Sequence, residues 1–236
     1  MNILLLLFIF IFIYIIIYTK NIYENFGEMT SDEINACNKF KKIKSRFKIK
    51  QLIYTDILRR TKKALDELNI PFFLSSGTCL GYLRENKFLD HDYDIDVGIY
   101  SKDYTPEIVK VMAKHKLLLY RTMGTEKDGL ELSFRLNGTK MGRNAKIDIF
   151  LHYPNEKTGK TFWTSYEAPY FEKQIKYQVS NFKLKQVKFM GLKINVPNST
   201  VKYIREHYGE NWYVPIKTKA YGGTYDYRYT PKSIVT

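Results

Sequence analysis

The run Ser75-Ser-Gly-Thr-Cys-Leu-Gly-Tyr-Leu-Arg84, followed after a short gap by His91-Asp-Tyr-Asp-Ile-Asp-Val97, decides how the rest of the chain is read. Strand side chains alternate between two faces with a period of two. The second stretch therefore sends Tyr93, Ile95 and Val97 one way and Asp92, Asp94 and Asp96 the other. Three carboxylates on one face repel each other, and a strand built only to pack gains nothing from them. A hard divalent cation does use them, because it takes carboxylate oxygens together with the phosphate oxygens of a substrate. An acidic turn is the plainer alternative, but apolar residues alternating with the acids mark a strand. Ser75 to Thr78 falls between an expected strand and an expected short helix, and N–H groups at a helix start receive phosphate. The pattern predicts a metal and a phosphate side by side.

Outward from this stretch, residues 49 to 69 carry Ile53, Ile57, Ala64, Leu65 and Leu68 at helical spacing, with Pro71 as the stop. Phe72 to Ser75 reads as a buried strand, Thr78 to Asn86 as a short helix carrying Arg84, and Lys87 to Asp90 as a loop before the acidic strand. Thr105-Pro106-Glu107 is a helix start. Leu117 to Tyr120 is an expected strand, and Asn137-Gly138 predicts a tight hairpin between Leu130–Leu136 and the residues from Thr139. The strand Ala145 to Phe150 holds one acid, Asp148, between Ile147 and Ile149. A buried carboxylate is costly without a partner, so Asp148 is the expected third member of the metal site. Further on come a Lys-rich strand pair around Met190-Gly191 and a helix from Asn198–Thr200 to Tyr208, closed by Gly209. The aromatics Phe162, Trp163, Tyr166, Tyr170 and Phe171 read as core.

The chain has 236 residues and a formal net charge of +14, which favours polyanions: nucleic acid, phosphorylated substrates or an anionic membrane surface. Cys37 and Cys79 give neither a disulfide framework nor a zinc pattern. Residues 3–18 are apolar and uncharged, and predict an uncleaved single-pass membrane anchor; no basic n-region supports a signal peptide. The basic run from Lys39 to Lys50 reads as a solvated face. The expected domains are a transmembrane anchor over 1–19, a stem over 20–48, a folded domain over 49–220 and a tail over 221–236. The sequons at Asn137 and Asn198 matter only if the domain is lumenal.

Three motifs together carry a resemblance: Gly77-Thr78-x-x-Gly81-x-x-Arg84, His91-Asp92-x-Asp94-x-Asp96 and Ile147-Asp148-Ile-Phe. With the ending Tyr208-Gly209-Glu-Asn211-Trp212-x-x-Pro215, the chain resembles the LicD/fukutin/fukutin-related family over about residues 70 to 215. His91 departs from the Trp usual in bacterial members. The resemblance implies an α+β nucleotidyltransferase-like fold, a mixed sheet flanked by helices, here preceded by the expected N-terminal transmembrane helix. It implies transfer of a phospho-alcohol, such as phosphocholine or ribitol phosphate, from a CDP-activated donor to a glycan or glycoprotein acceptor. For eukaryotic members it implies the secretory pathway, with the domain lumenal.

The leading expectation is a phosphotransferase that uses Mg²⁺ or Mn²⁺. Asp92, Asp94, Asp96 and Asp148 are the expected metal ligands, with Asp94, Asp96 and Asp148 catalytic. Asp148 either ligates a second ion or accepts the proton of the attacking hydroxyl. Ser76, Gly77, Thr78 and Arg84 are the expected phosphate contacts. A non-catalytic, membrane-tethered accessory of glycan modification is the alternative, which the intact acids oppose. A nucleic-acid nucleotidyltransferase is a weaker one. No nucleic-acid partner is expected, because no recognisable RNA-binding module accompanies the acids.

Overall fold

A two-residue rhythm shared by three strands organises the molecule. The computed structural model describes residues 48–90, 92–137, 145–166, 174–215 and 234–235. Strand β1 is Phe72–Leu74, β2 is Asp94–Tyr100, β3 is Leu117–Met123, β4 is Glu131–Leu136 and β5 is Lys146–Asn155. β2 runs parallel to β5 in register, Ile95 opposite Ile147 and Val97 opposite Ile149. β4 runs antiparallel to β5, Leu132 opposite Ile149 and Phe134 opposite Ile147. Paired residues share a face. One face therefore carries Ile95, Val97, Ile99, Leu132, Phe134, Ile147, Ile149 and Leu151, none more than 2% exposed. The other carries Asp94, Asp96, Ser133, Lys146 and Asp148. Burying each large apolar side chain stabilises by about 1.5–3 kcal/mol. One such face is enough to fix the register, and it leaves the opposite face available for charge.

The helices close on this sheet. Helix α1, Lys48–Glu67, buries Tyr54, Ile57, Leu58, Ala64 and Leu65 at helical spacing. It ends where Asn69 turns left-handed (φ 54°) ahead of Pro71. Helix α2, Ser76–Glu85, follows β1 directly and stops at a left-handed Asn86, whose N–H donates to Tyr82 O. Helix α3, Glu107–Lys114, packs against α1 and β3 through Ile108 and Met112.

The rest of the ten-stranded mixed sheet is β6 Lys160–Tyr166, β7 Gln174–Ser180, β8 Leu184–Phe189, β9 Leu192–Pro197 and β10 Ile234–Val235. Helix α4, Thr200–Tyr208, packs against α2 and β7 and ends at Gly209 (φ 88°). The order β10-β7-β6-β5-β2-β1-β9-β8, with β4 joining β3 to β5, puts the acidic strands at the centre.

The expected elements appear, with three corrections. The acidic strand begins at Asp94, so Asp92 belongs to the loop before it. Asn137-Gly138 does not make a two-residue hairpin: Arg135 pairs with Lys146, and the connection takes 136 to 145, partly outside the described residues. Met190-Gly191 does make a two-residue turn, within the strand pair expected around it, with φ of 50° and 78° between the paired Phe189 and Leu192. Third, Lys50 is not part of a solvated face but is half-buried against the loop that precedes β2. Trp163 is core as expected, stacked between His152 and Tyr177, while Tyr170 and Phe171 lie outside the described residues. So do 3–18, residues 20–47 of the expected stem, and all of the tail but 234–235, while Lys48, expected in the stem, already belongs to α1. Among the described residues no helix is long and apolar enough to cross a membrane.

Gly98 is the tightest point of β2: an added Cβ would lie 2.4 Å from Phe73 Cζ and 2.7 Å from His152 Cε1. Overpacking of this kind costs about 1–3 kcal/mol. Gly98→Ala is expected to lower the urea midpoint correspondingly; an unchanged midpoint would show that Phe73 moves aside freely.

Candidate active site

The loop entering β2 is held from α1. Lys50 Nζ donates to the carbonyls of Leu89 (3.3 Å), Asp90 (3.0 Å) and Asp92. Gln51 donates to Phe88 O (2.7 Å) and accepts from the Phe88 N–H (3.1 Å). The backbone carrying Asp92 is thereby placed beside the start of β2. Asp92, Asp94 and Asp96 each offer one oxygen, and these oxygens all lie within 4.8 Å of one another.

The α2 start serves this cluster from the other side. The Gly77 N–H donates to Asp96 Oδ2 at 3.0 Å, and Thr78 Oγ1 accepts from the Asp96 N–H at 2.8 Å. The Ser75 N–H donates to Asp96 O at 3.1 Å. A Cβ on Gly77 would stand 2.5 Å from Asp92 Oδ2 and 3.2 Å from Asp96 Oδ2, so only glycine lets both carboxylates approach. The Ser-Gly-Thr turn is thus first a cradle for Asp96. Thr78 is buried, and Ser76, at a left-handed φ of 40°, is the half-exposed member of the turn.

Asp148 stands opposite Asp96 across the parallel pair, and Lys146 stands opposite Asp94. Lys146 Nζ reaches Asp94 Oδ2 at 2.8 Å and also contacts Asp148 Oδ2. Asp148 is 3% exposed, and its Oδ1 has no hydrogen-bond partner among the described residues. Behind it, Arg121 donates to Glu131 (3.0 Å) and to Ser133 Oγ (3.3 Å).

Burial, then the neighbouring Asp94 carboxylate, pushes Asp92 and Asp96 well above the usual carboxylate range. Burial also raises Asp148, although Lys146 and Ser133 pull the other way. Glu131 is pushed up to about 7 by burial and by Asp148, against Arg121. Burial opposes the charge of Lys146, but Asp148 and Asp94 outweigh it and strengthen its hold on the proton. This is an acid cluster short of positive charge. An all-oxygen donor set with a spare buried carboxylate oxygen fits Mg²⁺ or Mn²⁺.

Arg84 is not brought to this cluster. It sits at the far end of α2, eight residues beyond Ser76 and hence about 12 Å along the axis. It is fully buried, 3.3 Å from Glu85 Oε1 and 3.5 Å from Trp212 O. That position braces α2 against the Trp212 segment, away from the acids beside which the phosphate contact is expected. Sequence reasoning missed Lys146, Lys50, Ser133 and Glu131. Lys146 was within reach of it, since period two places it on the Asp148 face.

A family model described as "LicD/FKTN/FKRP, nucleotidyltransferase domain" matches residues 69–199. The chain is similar to "Ribitol-5-phosphate transferase FKTN" of Mus musculus, 34% identical over 180 residues, which is 76% of this chain and 36% of that protein. The Homo sapiens protein of the same name is 33% identical over the same shares. An uncharacterized protein of Rickettsia typhi, RT0683, is 24% identical over 68% of this chain and 47% of its own length. The chain thus spans about a third of the length of the FKTN relatives.

Because the folded-state affinity of Asp96 for its proton is raised, its contribution to stability is full below the unfolded value near 3.9 and is lost as pH rises through the folded one. Asp96→Asn is therefore expected to stabilise the metal-free protein at pH 7, with the gain shrinking towards pH 4. Urea unfolding in chelator across that range measures this. A gain that grows on acidification would contradict it.

Proposed function

The chain belongs to the LicD/FKTN/FKRP nucleotidyltransferase family, and on that premise we propose that it is a metal-dependent phosphotransferase acting on a glycan or glycoprotein. The donor we propose is a CDP-activated alcohol phosphate. Ribitol phosphate is the first candidate, since the FKTN relatives are named for that group, and phosphocholine the second. The observation that carries the reading is the meeting of the Asp92, Asp94 and Asp96 oxygens beside the buried, unpartnered Oδ1 of Asp148.

In this reading Asp92, Asp94 and Asp96 hold Mg²⁺ or Mn²⁺. The bound ion supplies positive charge to the donor's diphosphate oxygens and to the departing CMP. Gly77 and Thr78 keep Asp96 in place by donating to its carboxylate and accepting from its N–H. Ser76, half-exposed at the α2 start, offers its hydroxyl to a phosphate oxygen. The acceptor oxygen bonds to phosphorus as the bond to the CMP oxygen breaks, and Asp148 Oδ1 takes the acceptor's proton. A carboxylate whose proton affinity is raised by burial suits that role. Arg84 acts only by bracing α2.

We take the catalytic domain as 49–220, tethered through 1–19 to a membrane of the secretory pathway, with 20–48 as a stem and 221–236 as a tail. Thermal unfolding of the full chain in detergent, with CDP, CMP, UDP, GDP or ADP and with or without Mn²⁺, tests the reading. Ligand at a hundredfold over its Kd adds about 2.7 kcal/mol, or about 5–10 °C in Tm. The expected result is such a shift with CDP plus Mn²⁺, absent for Asp94→Asn. A folded, metal-supplemented protein that ignores every nucleotide would favour the accessory reading. A response to another base would keep the enzyme and overturn the donor.

A further inference from the structure

Phosphoryl-transfer sites with two metal ions hold them about 3.5–4 Å apart, clamped between carboxylates that serve both. Here one cation already joins the carboxylates of Asp94 and Asp148, and it belongs to the chain. Lys146 Nζ lies 2.8 Å from Asp94 Oδ2 and in contact with Asp148 Oδ2. The sheet register puts it there: Lys146 is opposite Asp94, and Asp148, two residues on along the same face, is opposite Asp96. The lysine is not a passing surface group, since its side chain is only 22% exposed and the Asp148 side chain it meets is 4% exposed.

We propose that the Lys146 ammonium is a built-in second cation, so that the site takes one divalent ion and not two. The proposal rests on the metal reading above. A second ion would have to displace the ammonium from both oxygens it holds. With Lys146 in place, a single divalent ion leaves the four ionised aspartates with one net negative charge. Lys146 also occupies Oδ2 of Asp148 and leaves Oδ1 as its free oxygen. This decides between the two roles open to Asp148, in favour of proton acceptor over ligand of a second ion.

Equilibrium dialysis with Mn²⁺, read by bound-metal content and by electron paramagnetic resonance, tests this on the full chain in detergent. The wild type is expected to bind one ion with the signal of an isolated Mn²⁺. Lys146→Ala is expected to bind two, with the broadened signal of a magnetically coupled pair. Lys146→Arg keeps the positive charge and is expected to stay at one. Two ions in the wild type would overturn the role of Lys146 while leaving the metal site standing. A folded Lys146→Ala that stays at one ion would overturn it as well. No bound ion in the wild type would remove the metal reading, and this proposal with it. Lys146→Met, which keeps the length of the side chain and removes its charge, carries the same expectation of two ions and decides the matter if the alanine variant does not fold.

Discussion

The in-register parallel pairing of β2 with β5 is the constraint on which the rest depends. A slip of one residue would turn every side chain of β2 to the opposite face. It would drive Asp94 and Asp96 into the layer now filled by Ile147, Ile149 and Phe134. The apolar face forbids that slip, because burying each isoleucine or phenylalanine stabilises by about 1.5–3 kcal/mol. The same register that satisfies the core therefore places Asp96 beside Asp148 and Asp94 beside Lys146. The site follows from packing on the face away from it.

The second constraint is the closeness of the α2 start to that acidic face. Gly77 has no side chain, and the carboxylates of Asp92 and Asp96 occupy the space a Cβ would take. Backbone and hydroxyl groups of 75–78 are used on Asp96 and its own backbone. A motif that reads as a phosphate cradle thus serves first to fix the Asp96 carboxylate and its backbone. Arg84, at the other end of the same helix, is drawn inward to Glu85 and to the Trp212 carbonyl. Helix geometry separates it from the cluster, and a motif written as a string of letters does not show that separation.

What could be read from the sequence was whatever repeats with a short period. The Asp-x-Asp strand, the Ile-Asp-Ile strand, α1 with its apolar stripe and the glycine turn at Met190-Gly191 all announce themselves within a few residues. What could not be read depends on pairing between distant segments. The Asn137-Gly138 signal failed because β4 takes Lys146 as the partner of Arg135, and a local turn preference has no say in that choice. Lys50 looked like one lysine of a basic run. It is set apart only because α1 lays it over the carbonyls of 89, 90 and 92, some forty residues on. Ser133 and Glu131 sit in a stretch that reads as an ordinary hairpin arm, and only the sheet brings them behind Asp148.

Those long-range partners share a chemical sense. Burial raises the proton affinity of Asp92, Asp96 and Asp148, so the cluster carries its charge at a cost to the fold. The chain offsets part of that cost with fixed cations supplied from outside the acidic motif: Lys146 from β5 between two carboxylates, and Lys50 from α1 beneath the loop of Asp92. Neither removes the whole deficit, since Asp148 keeps an unpartnered oxygen in a nearly closed environment. A site tuned only for stability would have filled that position with another donor. The unpartnered Oδ1 is stability forgone within the cluster, and the proposed proton-accepting role of Asp148 rests on that forgone stability.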